Sequence, residues 1–213
     1  MRRKGKKQQE VRQLKNVLWG TTEDIAENLK SRDCLEEKKI TLELGCGNGE
    51  YTLSLSQKFP EKFFIGIDVK GSRIWTGAKY AIENQINNCL FMITRIDRLN
   101  LIFPPYSVDE IWIPFPNPFQ MRKSIKQRLV HLRFLEVYKK ICNPKAKIHL
   151  KTDDDILFEY TLQVINEENL KHICSTEDLL SSQLYKDELT ITTKFEQQHL
   201  NSGKKIKYVC FTL

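Results

Sequence analysis

The chain has no stretch approaching the roughly 20 apolar residues that span a bilayer. Its basic start is not followed by the apolar run of a secretory leader. A soluble, cytoplasmic protein with no membrane partner is therefore expected. The six cysteines, Cys34, Cys46, Cys89, Cys142, Cys174 and Cys210, form no C-x-x-C pair and have no histidine at ligand spacing. That argues against zinc-binding classes, so no metal is expected, and the thiols read as free in a reducing compartment. The four histidines, His131, His149, His172 and His199, show no partner pattern and read as structural. There is no internal repeat and no low-complexity tract. What remains is 213 residues, 40% of them hydrophobic, enough for one domain with a buried core.

Charge is unevenly spread. The net is +7, but residues 1–16 carry +6 and residues 120–147 carry +8, so the rest sums to −7. Two basic segments on an otherwise acidic chain point to a polyanionic partner. Residues 1–16 hold few apolar side chains and are expected to be a flexible basic arm, with a single domain over 17–213.

From Val17 onward the pattern alternates. Residues 39–44, 62–69, 89–94, 108–113 and 146–150 read as buried strands. Residues 50–59, 71–86, 122–141 and 154–169 read as helices, the third stopped by Asn143-Pro144. Residues 189–195 and 205–212 look like paired strands at a sheet edge. This order implies an α/β, Rossmann-like fold with a mainly parallel, seven-stranded sheet covered by helices on both faces. Ligands of such sheets bind at the carboxyl ends of the strands, where strand order reverses.

The first strand runs into Glu43-Leu44-Gly45-Cys46-Gly47-Asn48-Gly49. A dinucleotide fingerprint would need its third glycine at position 50, which is Glu50, a repelling neighbour for a pyrophosphate. The spacing G-x-G-x-G after an acid instead resembles motif I of S-adenosylmethionine methyltransferases. Glu43 is then expected near the amino-acid end of the donor. Asp68, which ends the second strand, offers two oxygens to the two ribose hydroxyls.

After the fourth strand comes Pro114-Phe115-Pro116-Asn117-Pro118-Phe119, a rigid loop with a hydrogen-bonding amide beside a flat aromatic. FPNPF followed by basic residues, Thr152-Asp153, and Thr193-Lys194-Phe195-Glu196 appear in that order. Together they resemble the bacterial tRNA (guanine-nitrogen-7)-methyltransferase family, over nearly the whole chain. The resemblance implies S-adenosyl-L-methionine as cofactor, tRNA as partner, and guanine 46 of the variable loop as target. It implies cofactor contacts from Glu43, Gly45, Gly47, Gly49, Asp68, Asn117 and either Arg95 or Asp97, with Asp97 favoured chemically. It implies substrate contacts from Met121, Arg122, Lys126, Asp153, Thr193, Lys194, Phe195 and Glu196. Asn117 stands where the family has aspartate, Phe119 where it has tryptophan, and Met121 where a lysine is expected.

Nitrogen-7 of guanine carries a free lone pair and no proton, so its methylation needs no general base. Asn117 is accordingly expected to orient rather than to move a proton. Asp153 and Glu196 are expected to accept from guanine's ring N–H and amine, with Phe119 stacking on the base. Arg122, Lys126 and Arg133 fall on one stripe of the helix read over 122–141, beside an apolar stripe of Ile125, Leu129 and Leu132. A small-molecule methyltransferase and an inactive cofactor- or RNA-binding subunit remain alternatives. Monomer and homodimer are both compatible with the sequence.

Overall fold

The structure is a computed structural model that describes residues 3–32 and 38–213. Cys34 lies outside the described residues. Eight strands form one sheet in the order β1-β4-β3-β2-β5-β6-β8-β7. They are β1 (Val17–Leu18), β2 (Ile40–Leu44), β3 (Phe63–Asp68), β4 (Cys89–Ile93), β5 (Val108–Pro114), β6 (Cys142–Thr152), β7 (Lys171–Thr176) and β8 (Lys207–Thr212). The first six run parallel, while β8 is antiparallel to both β6 and β7. The α/β reading holds, with eight strands in place of seven. The extra one is β1, whose two residues pair with Phe91 and Met92 of β4 and are too short to leave a periodic signal.

Helices cover both faces. Against one face lie α2 (Thr22–Lys30), α5 (Leu99–Ile102), α6 (Leu132–Ile141) and α7 (Asp155–Glu167), packed on Leu42, Leu44, Ile65, Ile67, Ile111 and Ile113. Against the other lie α3 (Glu50–Lys58) and α4 (Gly71–Glu83), packed on Phe64, Phe91 and Trp112 together with Ile191 and Ile206 from the C-terminal segment. Strand alternation sorts these side chains, successive residues facing opposite layers. Because β2 pairs with β3 on one side and β5 on the other, strand order reverses there, and the cleft opens at that point.

Three sequence expectations change. Residues 122–141 are not one helix. Arg122–Gln127 is a 3-10 segment, the chain extends at Arg128, and α6 starts only at Leu132. The cause is Arg128, which turns inward (2% exposed). It donates to the carbonyl oxygens of Pro118 at 2.8 Å and Phe119 at 3.3 Å, with its guanidinium over the Tyr160 ring. The two-stripe pattern is broken accordingly, and Leu132 is exposed. Residues 189–195 are not an edge strand: a 3-10 turn at Asp187–Thr190 leads into α8 (Lys194–Asn201). The pairing assigned to them is made by β7 instead. Strand β6 starts earlier than read, at Cys142. A register shift opposite Val108 and Glu110 accommodates Pro144, which cannot donate to a ladder.

At the other end, α1 (Arg3–Glu10) and the turn Val11–Gln13 lie across α4. The Gln8 side chain accepts from the Ser72 backbone N–H at 2.9 Å, Lys7 Nζ sits 4.2 Å above the Trp75 ring, and Val11 is fully buried.

Helix α4 approaches the glycine turn so closely that a Cβ on Gly77 would stand 2.4 Å from the Asn48 carbonyl oxygen. That obstacle is backbone and cannot swing aside. Gly77→Ala should therefore push α4 off the turn and cost about 1–3 kcal/mol, the usual range for overpacking a filled interior. Urea unfolding measures the loss, and an unchanged midpoint would refute the close approach.

Candidate active site

The sheet sends β2 out at Leu44, and the chain then turns back: the Gly45 and Cys46 N–H groups both donate to the Ile67 carbonyl, at 2.8 and 3.0 Å. Gly45, Gly47 and Gly49 have φ of 75°, 55° and 74°, the left-handed region that side chains with a Cβ avoid. Nothing lies within 4 Å of where a Cβ would stand on Gly45 or Gly47, so the turn leaves open space above its backbone. Asp68, at the end of β3, fastens the turn. One carboxylate oxygen accepts from Gly47 N–H at 3.0 Å and the other from Lys70 N–H at 2.8 Å.

Two neighbouring cavities open over this turn. One, of about 700 Å³, is walled by Asp68, Val69, Ile96, Asp97, Asn117 and Phe119, among others. The other, of about 500 Å³, is walled by Glu43, Gly47, Glu50, Thr193, Lys194 and Phe195, among others. They share Gly45, Arg73 and Phe115. Val69 is exposed despite being apolar, a flat surface on which an aromatic ring could rest.

Glu43 is buried, and its Oε2 accepts from Thr52 N–H at 2.7 Å and from the Thr52 hydroxyl. Burial pushes its pKa up to about 8, against the pull of those two hydrogen bonds, and the neighbouring charges of Asp68 and Glu50 add to the rise. Glu43 thus holds its proton at neutral pH, and a cation beside it would draw that proton off. Asp97 lies opposite. Arg95 holds it at 2.9 and 2.5 Å and Arg133 at 3.1 Å, and the Arg95 hydrogen bonds lower its pKa. Both Arg95 and Asp97, the two options left open for the adenine side, therefore stand on the same wall. Arg133, expected on an RNA-facing stripe, is turned to Asp97.

The loop after β5 is strained: Phe115 and Phe119 both take positive φ, 50° and 43°. Strain of this kind concentrates at functional sites. Phe115 is pinned by its N–H donating to the Lys151 carbonyl at 2.8 Å. Asn117 is exposed, and its Oδ1 accepts from Phe119 N–H at 3.0 Å. Asn117, Phe119, Met121 and Lys123 also line an adjoining cavity of about 730 Å³. Met121 (64% exposed), Arg122 and Lys126 face solvent beside it.

The C-terminal motif meets the rim from the other side. Thr193 caps α8, its side chain accepting from Glu196 N–H at 3.1 Å. Phe195 is half exposed and packs against Phe115, ring centres 5.4 Å apart, and against His199 at 4.2 Å. Asp153 takes Lys204 Nζ at 2.6 Å and His199 Nδ1 at 3.1 Å. Glu196 departs from expectation. It is wholly buried, and its two oxygens lie 2.7 and 2.9 Å from Nζ of Lys151, itself fully buried. Burial pulls the lysine's pKa down and pushes the glutamate's up, and each charge opposes the shift of the other. A carboxylate locked in that pair is not presented to the opening.

Lys151, Arg73, Phe115 and His199 were not singled out from the sequence. Arg73 and Phe115 line both cavities, and Lys151 and His199 hold the two acids. Phe115 had a signal, lying within the proline loop. Arg73 had none beyond its position five residues after Asp68.

A family model described as "Putative methyltransferase" matches residues 37–209. The tRNA (guanine-N(7)-)-methyltransferase of Bacteroides thetaiotaomicron is 45% identical over 174 residues, 82% of this chain and 68% of that protein. The tRNA (guanine-N(7)-)-methyltransferase of Christiangramia forsetii is 36% identical over 212 residues, covering 96% of this chain and 95% of the relative. The chain belongs to the tRNA (guanine-N(7)-)-methyltransferase family. Among solved structures, the 16S rRNA methyltransferase KamB superposes with a TM-score of 0.65 at 15% identity, over 92% of this chain and 95% of that one. A SAM-dependent methyltransferase from Aquifex aeolicus gives 0.56 at 15% identity, over 96% and 97%. These likenesses identify the fold as that of the S-adenosylmethionine-dependent methyltransferases. No helix among the described residues is long and apolar enough to cross a membrane.

The cavities suit this family's cofactor. Glu43 is a buried acid that could face its ammonium group, Asp68 could accept from its ribose, and Val69 and Ile96 could flank its adenine, while Gly45 and Gly47 leave open space above the turn. Glu43 yields a prediction. Unfolded, it ionises near its ordinary pKa of 4.5; folded, it holds its proton to about 8. Between those values the native state binds the extra proton, so stability falls as pH rises, and levels off above 8. Glu43→Gln keeps one oxygen that can accept both Thr52 hydrogen bonds, and it cannot titrate. Its melting temperature should gain on the wild type steadily from pH 5 to pH 8; a constant difference across that range would contradict the buried protonated acid.

Proposed function

We propose that this protein transfers the methyl group of S-adenosyl-L-methionine to nitrogen-7 of a guanine in tRNA, at position 46 of the variable loop. The observation that carries the reading is the meeting at Phe115 of a donor-shaped double cavity with the Asn117 loop on one side and the Thr193–Phe195 segment on the other. A relative that aligns over 96% of this chain and 95% of its own length bears that activity in its name.

When bound, the cofactor supplies an electrophilic methyl on a sulfonium. Glu43 would hold its amino-acid end, Asp68 its ribose and Asp97 its adenine side, over the turn of Gly45, Gly47 and Gly49. The chemistry it would supply is a displacement in which the guanine lone pair takes the methyl as the carbon–sulfur bond breaks, so that the positive charge would pass to the base. No proton has to move, and the rate comes from alignment, a contribution that can reach about 7–11 kcal/mol. Asn117 orients the incoming base through its exposed amide, and Phe119 stacks on it. Asp153 lines an opening beside Lys204 and, released from that lysine, accepts from the guanine edge, which disfavours adenine, whose donor pattern differs. Thr193, Lys194 and Phe195 hold the base or its backbone. Glu196 acts behind them by securing Lys151.

The RNA backbone runs over Met121, Arg122 and Lys126 on one flank and over α1 and α4 on the other, where Lys6 is exposed beside Glu10 and Lys7 stands over the Trp75 ring. Base extrusion into such a pocket costs a few kcal/mol, which these contacts offset. The protein works in the cytoplasm, where tRNA is, without a metal.

Asn117→Asp should retain or raise the single-turnover rate on unmodified tRNA, since a carboxylate orients as well as an amide and no base is needed. A loss beyond tenfold would count against an orienting role. Lys6→Ala with Lys7→Ala should lower the slope of log affinity against log salt by about 1 for each phosphate no longer neutralised; an identical slope would remove α1 from the interface. Labelled cofactor with unmodified tRNA tests the whole reading, since tight tRNA binding without label would indicate an inactive binding subunit.

A further inference from the structure

Glu50 stands where a dinucleotide turn would carry glycine, and it opens α3 directly after the glycine turn. Its carboxylate does not reach for the cofactor turn. Its Oε2 accepts from the backbone N–H of Lys194 at 2.7 Å, across 144 positions of sequence. Lys194 is the first residue of α8, so Glu50 satisfies one of the free N–H groups of that helix and sets a negative charge at its positive end. The next residue helps: the Tyr51 hydroxyl donates to the Glu188 carbonyl at 3.0 Å. The first turn of α3 thus grips the segment that carries Thr193, Lys194 and Phe195. There is little slack behind it, because a Cβ on Gly49 would stand 2.4 Å from the Phe91 ring. Glu50 and Lys194 both face the cavity that holds Glu43.

We propose that Glu50 is a positioning residue that couples cofactor binding to base recognition, by tying the first turn of α8 to the helix opened by the glycine turn. The inference rests on the functional reading above, in which the cofactor sits on that turn and residues 193–195 meet the RNA base. A ligand seated on Gly45 and Gly47 fixes the start of α3, Glu50 fixes the start of α8, and the base then finds Thr193 and Phe195 already in place. The coupling is reciprocal: bound tRNA strengthens cofactor binding by the same factor.

The test measures the dissociation constant of unmodified tRNA with and without saturating S-adenosylhomocysteine. In the wild type the cofactor product should tighten tRNA binding about tenfold, within the usual range for coupled sites. Glu50→Ala should reduce that ratio to within about twofold of unity, the tenfold coupling being otherwise abolished. Glu50→Gln, whose amide oxygen still accepts, should keep it. Lys194→Pro provides a second route, since proline is tolerated at the first helical position and deletes only the N–H in question. Thr193 already has the extended φ and ψ (−78°, 163°) that a following proline requires. Lys194→Pro should uncouple the sites, whereas Lys194→Ala, which loses the same side chain, should not. Full coupling in both Glu50→Ala and Lys194→Pro would overturn the proposal, as would a wild type that binds tRNA equally with and without S-adenosylhomocysteine. A wild type that binds no tRNA at all would instead bring down the functional reading on which it stands.

Discussion

A lysine and a glutamate with no access to water hold the two halves of this site together. Lys151 belongs to β6, and Glu196 to the helix that arrives 45 residues later. The lysine also donates to the Ile191 carbonyl at 3.0 Å and lies over the Tyr51 and Phe115 rings. Taking two ions out of water costs several kcal/mol each, repaid only where geometry is good and the remaining donors are used. Here the third partner and the aromatic faces supply that. The gain is one of location. The pair fixes α8 against β6 beside the strained Phe115, and so determines where the C-terminal motif meets the cofactor turn.

A second polar assembly supports the same region. Glu110 of β5 receives His149 Nε2 at 2.9 Å and Lys62 at 3.3 Å, and Lys62 reaches on to Glu188 at 3.4 Å. Burial would raise the pKa of Glu110, yet His149 and Lys62 hold it down to about 2. His149 in turn meets the Tyr208 hydroxyl at 2.7 Å and stacks on Trp112 at 4.0 Å. The layer between the sheet and the C-terminal segment is therefore built from buried polar and charged groups as well as from apolar contacts.

That layer explains what the sequence could and could not reveal. The glycine turn, Asp68, and the parallel strands were legible because each depends on neighbours a few residues away: φ above zero demands glycine, and buried strands demand β-branched runs. Strand β6 was legible as a strand but not in what covers it. It reads as buried, and it is, but its two faces differ: Ile148 and Leu150 make an apolar face, while His149 and Lys151 make a polar face that is buried too. Nothing local announces that residues 187–196 will return to cover the polar one. The same blindness produced the long helix over 122–141, since the inward turn of Arg128 answers to the carbonyls of the proline loop and not to its own helical neighbours. Glu196 was recognised as a functional acid by its motif, but the partner that conceals it is distant in sequence.

The placement of β8 carries a further consequence. Residues 207–212 are inserted between β6 and β7, so a strand translated after all the others occupies an interior lane of the sheet. Until the ribosome has delivered it, β6 presents an unpaired edge and β7 has no strand to join. Such late, non-local pairing slows folding and leaves intermediates open to association. Strands β1 to β6 can therefore pair while the chain is still being made, whereas β7, and the wall that residues 193–195 add to the Glu43 cavity beside β8, must wait for the chain to reach Thr212.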